Sequence, residues 1–93
     1  MIKAVLIDDE THCRESLSFQ LEKYCPQIQL LVQCSSGEQG LQAIDKYQPD
    51  VVFLDVEMPG INGFELLEQL NSFSFDIVFT TAYSQYAVQA FKL

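Results

Sequence analysis

The sequence predicts an α/β fold, a doubly wound parallel sheet in three α/β/α layers, with about four strands and four helices. Three observations lead there. Unbroken apolar runs such as Ala4 to Ile7 and Val51 to Leu54 read as strands buried on both faces. The stretches between them carry apolar residues at helical spacing. The two kinds of segment alternate, and strands joined by helices of this length imply crossovers and parallel pairing, with helices on both faces. The chain's 93 residues make one domain. At that length folding buries roughly 60 to 70% of the surface the unfolded chain exposes, enough for a core without disulfides, though short for a doubly wound fold.

The first strand, Ala4-Val5-Leu6-Ile7, stops at Asp8-Asp9-Glu10. From Thr11 to Tyr24 the apolar Cys13, Leu17, Leu21 and Tyr24 recur with polar residues between them, the stripe of an amphipathic helix that Pro26 ends. Ile28 to Cys34 reads as a second strand, and Ser35-Ser36-Gly37 punctuates before a helix through Leu41, Ile44 and Tyr47, closed by Pro49. The third strand, Val51 to Leu54, again ends on a carboxylate, Asp55. Glu57 to Gly63 carries enough Pro and Gly for a structured loop, and Phe64, Leu67 and Leu70 then take up helical spacing. Asp76 to Thr81 makes a fourth strand, and Ser84 caps a last helix containing Tyr86, Val88, Ala90 and Phe91.

Composition narrows the partners. Nearly half of the chain is hydrophobic, 48%, which argues against disorder, and no apolar run approaches the length of a membrane span. Thirteen acidic side chains stand against five basic ones, a net charge of −8, so no basic stripe exists to neutralise a phosphate backbone and nucleic-acid binding by this segment is not expected. Cys13, Cys25 and Cys34 match no zinc spacing, and an odd count favours reduced thiols in a cytoplasmic protein. Lys3, four apolar residues and then acids do not make a secretory leader.

The chemistry is expected beyond the carboxyl ends of the strands, where open α/β sheets place their ligands. If the first and third strands are neighbours, Asp8, Asp9 and Asp55 converge there, and their repulsion raises at least one pKa unless a cation is present. Hard carboxylate oxygens without His or Cys suit Mg²⁺. An ion held by two or three protein oxygens keeps waters or takes phosphate oxygens, so the site suits phosphate chemistry. A single Asp after a strand is commonly only a helix cap or a solvated turn residue; three at two strand ends are harder to explain so. His12 reads as a surface helix residue, and Met58 has no chemical role.

Asp8-Asp9 after the first strand, Asp55 after the third, the loop Met58-Pro59-Gly60 with Gly63 opening the next helix, and Thr81-Ala82 after the fourth strand occur in an order and at separations that resemble the receiver domain of bacterial two-component response regulators, a flavodoxin-like (CheY-like) fold. The resemblance runs from residue 3 to residue 93. The stretch from Phe79 to Phe91 is similar, more narrowly, to receivers attached to LytTR-type DNA-binding domains. What the resemblance implies is a phosphorylation-dependent switch rather than an enzyme, capable only of self-phosphorylation and slow autodephosphorylation. Asp55 is implied as the phosphoacceptor, attacking the phosphohistidine of a sensor histidine kinase. Asp9 and Asp55 are implied as direct Mg²⁺ ligands with the backbone carbonyl of Glu57, and Asp8 as acting through a metal-bound water. Thr81 is implied to donate its hydroxyl to the phosphoryl group, beside the small Ala82; Thr80 competes, but alternate residues of a strand face opposite sides. Tyr83 and Tyr86 suit an output surface or a core edge equally.

A complete receiver also has a fifth strand carrying a Lys, followed by a fifth helix. Lys92, at the end of a helix, does not match that Lys, so the receiver domain over residues 1–93 is expected to be incomplete at its C-terminus, with its DNA-binding output domain absent. Ile77-Val78-Phe79 is then an uncovered apolar edge, which invites pairing with another chain: a homodimer or domain-swapped oligomer is expected, or marginal stability. Two other functions compete. A Mg²⁺-dependent phosphatase of the haloacid-dehalogenase type also uses an Asp at a strand end, but it needs a second Asp two residues on, where Asp55-Val56-Glu57 offers Glu and Asp8-Asp9-Glu10 offers Glu as well. A phosphorylation-independent scaffold is the third. A Rossmann module is disfavoured, since no Gly-x-Gly-x-x-Gly follows the first strand.

Overall fold

The computed structural model describes residues 1–70 and 72–80 of the chain. The elements run β1 (Ile2–Ile7), α1 (Thr11–Tyr24), β2 (Ile28–Cys34), α2 (Gly37–Tyr47), β3 (Val51–Leu54), α3 (Gly63–Gln69) and β4 (Asp76–Phe79). All four strands pair in parallel in the order β2-β1-β3-β4. β1 and β3 are therefore neighbours, with Ile7 opposite Leu54. The expected fourth helix, with Ser84, Tyr86, Val88, Ala90 and Phe91, lies outside the described residues, as do Thr81, Ala82, Tyr83 and Lys92.

The two central strands justify the reading of their apolar runs. Ala4, Val5, Leu6 and Ile7 are fully buried, and Val51 to Leu54 are buried throughout. Alternate residues serve opposite faces. Val5, Ile7, Val52 and Leu54 join Ala43 and Ile44 of α2 and Leu66 and Leu67 of α3 in the larger core, while Ala4, Leu6, Val51 and Phe53 meet Leu21 and Leu17 of α1 in a smaller one. Met58 is buried in the larger core, which accounts for it without chemistry.

One boundary and one burial differ from the sequence expectation. β1 begins at Ile2, before the apolar run, because Ile2 and Lys3 pair with Ile28 and Gln29 through the backbone although their side chains are exposed. β4 runs to Phe79, after which Thr80 still donates its backbone N–H to Leu54 O at 3.0 Å; the expected end at Thr81 lies outside the described residues. The stripe of α1 is shallower than its periodicity suggests. Leu21 is its one buried residue, whereas Cys13 is exposed and Tyr24 is 67% exposed. The amino group of Lys23 lies over the rings of both Phe19 and Tyr24, which partly covers them.

α2 and α3 carry the stops their sequences announce. The Ser36 side chain accepts a hydrogen bond from the Gln39 backbone N–H at 3.2 Å, and Gln48 closes α2 in the left-handed region, φ 47°, just before Pro49. Asn62 and Glu65 form a reciprocal capping box at the start of α3, at 2.9 and 3.1 Å. Gly60 has φ 77°, the conformation that the Pro59-Gly60 turn requires of a glycine.

Candidate functional site

The acids arrive at one sheet edge because the backbone ladder runs one residue past each strand. Asp8 donates its N–H to Cys34 O at 3.0 Å, and Asp55 donates its N–H to Ile7 O at 2.9 Å. Both residues are thus fixed by the sheet itself, side by side. Asp8 is buried, at 5% exposure, and Asp9 and Asp55 are half-buried. One carboxylate oxygen from each of the three lies within 4.8 Å of the others.

The turn after β3 is shaped around Asp55. The Glu57 backbone N–H donates to Asp55 Oδ1 at 3.3 Å, and the Gly63 N–H donates to Val56 O at 2.9 Å, bringing the first residue of α3 back onto the acceptor turn. A Cβ on Gly63 would stand 2.6 Å from the backbone oxygen of Asp55 and 3.0 Å from Val56 Cα. Only glycine permits that approach. Glu57 itself is exposed, two residues beyond Asp55 on the same turn.

Burial pushes the Asp55 carboxyl up from 3.8 to about 6; the Asp8 charge adds to this, the Glu57 backbone N–H opposes it, and Asp9 and Glu57 add smaller contributions. The repulsion expected from the sequence is therefore real but second to desolvation. The same negative field, led by Asp8, raises the thiol of Cys13 on the first turn of α1. One residue of the site escaped the sequence reading. Arg14 sends Nη1 to the backbone oxygen of Asp8 at 2.7 Å and Nη2 to Thr11 Oγ1 at 3.2 Å, placing a guanidinium behind the acids. A cation one turn into the helix that follows two acids was the available clue.

Three clustered carboxylates with one raised pKa are the donor set that a hard, oxygen-preferring cation satisfies, and Asp8, Asp9 and Asp55 fit Mg²⁺ in number, kind and spacing. Thr81, the expected hydroxyl donor, lies outside the described residues. Thr80 is described, and its hydroxyl is buried without a hydrogen-bond partner. It lines a small cavity with Asp8, His12 and Cys13. His12 is exposed, as a surface helix residue should be.

Comparison with known proteins agrees with this geometry. The response regulator receiver domain family matches residues 4–93. An uncharacterized response regulatory protein of Vibrio cholerae is 47% identical over 93 residues, which is 99% of this chain and 39% of that protein. The transcriptional regulatory protein BtsR of Escherichia coli (strain K12) is 40% identical over 93 residues, 38% of its length. The chain thus spans about two fifths of the curated relatives it matches. Among solved structures, the response regulatory domain of protein mrkE from Klebsiella pneumoniae superposes with a TM-score of 0.85 at 26% identity, covering 98% of this chain and 75% of that one. The response regulator domain of Thermotoga maritima CheB, at 21% identity and a TM-score of 0.84, shares the fold; 99% of this chain and 72% of that one are covered. With the acids at the carboxyl edge of a β2-β1-β3-β4 sheet and a family match over nearly its whole length, this chain belongs to the response regulator receiver domains.

Proposed function

We propose that this receiver accepts a phosphoryl group on Asp55 from the phosphohistidine of a sensor kinase, and that the change drives an output elsewhere in a longer protein. The observation that carries the reading is the cluster of Asp8, Asp9 and Asp55 on adjacent strand ends, with Asp55 half-exposed at the end of β3 and held by its acceptor turn. Asp8, Asp9 and Asp55, joined by the Glu57 carbonyl, are the residues that would hold Mg²⁺. When bound, the ion supplies positive charge that offsets the repulsion between a carboxylate nucleophile and phosphoryl oxygens. The chain's own contribution is to seat Asp55: its N–H is tied to β1, one oxygen is held by the Glu57 N–H, and Gly63 packs against its carbonyl. Transfer forms an Asp55 Oδ–P bond and breaks the P–N bond of the phosphohistidine. Thr81 is proposed as the hydroxyl that then meets the phosphoryl oxygens.

The test is intact mass after incubation with acetyl phosphate and Mg²⁺. One added phosphoryl group is expected, absent without Mg²⁺ and absent in Asp55→Ala. No adduct in the unaltered chain overturns the reading, and steady turnover of a generic phosphate ester favours a phosphatase instead. The output is proposed to be LytTR-type DNA binding in the full-length protein, consistent with the description of BtsR as a transcriptional regulatory protein; the acidic balance of this segment, −8, supports assigning DNA contact to another domain. A cytoplasmic location is proposed on the three free cysteines. No helix among the described residues is long and apolar enough to cross a membrane. Self-association along β4 is supported by its pairing on one side only among the described residues.

A further inference from the structure

At the opposite edge of the sheet from Asp55, where β3 and β4 begin, α2 and the segment leading into β4 enclose a groove of about 550 Å³. Four residues of β3 separate it from the acids, about 13 Å at the rise of an extended strand. Its apolar wall is formed by Leu41, Ile44, Leu70, Phe73 and Phe75. Phe75 is buried in the larger core, yet Phe73, stacked on it at 4.8 Å and 27°, is 45% exposed. A ring held against the core but left open to solvent is a pre-set contact face rather than a loose surface side chain.

The polar members of the groove give it a sign. Asp45 and Asp50 both line it and both are exposed. Asp50 Oδ2 accepts the Lys3 backbone N–H at 2.8 Å, while the carboxylate of Asp45 meets no cation among the described residues. The neighbouring Lys46 turns its amino group over the ring of Tyr47, at 5.2 Å, and away from pairing. Within a chain of net charge −8 this corner excludes anions and favours a positive ligand.

We propose that this groove docks a peptide segment of a partner protein bearing an aromatic or branched aliphatic anchor flanked by Lys or Arg. The anchor stacks on Phe73 and covers Leu41 and Ile44; the basic residue meets Asp45 and Asp50. The size of the groove falls within the few hundred cubic ångströms that hold such a side-chain pair, and its separation from Asp55 makes docking independent of phosphoryl acceptance.

The experiment is a ¹⁵N amide-shift titration of the ¹⁵N-labelled chain with acetyl-Arg-Leu-Phe-Arg-amide, beside the acidic analogue acetyl-Glu-Leu-Phe-Glu-amide. Saturable shifts are expected at residues 41–48 and 72–75 for the basic peptide alone, weakened about tenfold by either Asp45→Asn or Phe73→Ser, as loss of one charge-assisted or one aromatic contact implies. Both side chains are exposed enough for the variants to fold, and unaltered shifts elsewhere in their spectra verify it. The proposal is overturned if the acidic peptide shifts the same amides, if the basic one acts only around Asp8 and Asp55, if neither binds, or if both variants bind undiminished. Acetyl phosphate labelling of Asp55 in the same variants is expected to stay unchanged, which separates this proposal from the reading of the site.

Discussion

Replacing Asp55 by Asn is expected to make the fold more stable near neutral pH when divalent cations are chelated. The Asp55 carboxyl is raised from 3.8 to about 6 in the folded chain, chiefly by burial and then by the Asp8 charge. A carboxyl whose folded pKa lies above its unfolded value costs nothing while protonated in both states. It becomes unfavourable as pH rises from 3.8 through about 6, because only the unfolded chain ionises freely there. A shift of roughly two units corresponds to about 3 kcal/mol at full effect. Asp55 is only half-buried, so solvent screening reduces this to about 1 kcal/mol. Asn keeps the volume and an oxygen for the Glu57 N–H. Urea unfolding followed by circular dichroism, with EDTA present, should show Asp55→Asn more stable by that amount at about pH 7 and close to the parent at about pH 3, below the unfolded pKa. Mg²⁺ should close the gap by stabilising the parent alone. A variant that is no more stable than the parent at neutral pH, or a gap that does not change with pH, refutes the account of Asp55 as a carboxylate held at a cost.

Other substitutions test the surroundings of the site by the same unfolding measurement. Gly63→Ala should destabilise by about 1 to 3 kcal/mol, the range for overpacking, despite the better helix propensity of Ala, because the new Cβ meets the Asp55 carbonyl at 2.6 Å. A neutral result would mean that the acceptor turn yields easily. Ser36→Ala should cost about 1 kcal/mol through loss of the bond to the Gln39 N–H. Gln48→Gly should change stability by less than about 1 kcal/mol, since relief of the left-handed φ of 47° is offset by loss of the side-chain bonds from Gln48 Nε2 to the Ile44 and Asp45 carbonyls.

Much of this architecture could be read from residues alone, for identifiable reasons. Val51 to Leu54 and Ala4 to Ile7 are buried on both faces, so their apolar runs are unbroken and their ends are sharp, and the acids that follow mark the sheet edge directly. β2 and α1 had the expected bounds because Pro26, Ser35 and Ser36 punctuate them. Depth of burial was less legible. Periodicity shows that one side of α1 is apolar, but how much of it is covered depends on what packs there, and Cys13 and Tyr24 face solvent. The approach of the three acids required knowing that β1 and β3 pair, which the sequence posed only as a condition. The precedence of burial over repulsion at Asp55, and the bond from Arg14 to the Asp8 carbonyl, depend on side-chain placement that no local pattern encodes. The groove beside Phe73 is of the same kind, since its walls come from segments about thirty residues apart.

The unequal halves of the core carry a dynamic consequence. Among the described residues the larger cluster joins β1, β3, α2, α3 and Phe75, whereas the smaller depends on Leu21 and the half-covered Leu17 and Cys25 for its helical side. Local opening follows the least buried apolar area, so amide protons of α1 should exchange with solvent before those of α2 and of the central strands. Because the turn that seats Asp55 is tied to β1 and to Gly63 of α3, an excursion of α1 would lift Arg14 off the Asp8 carbonyl and bare Asp8 from one side while the acceptor stays in place. The two faces of the sheet thus divide the labour, one holding the chemistry rigid and the other free to breathe.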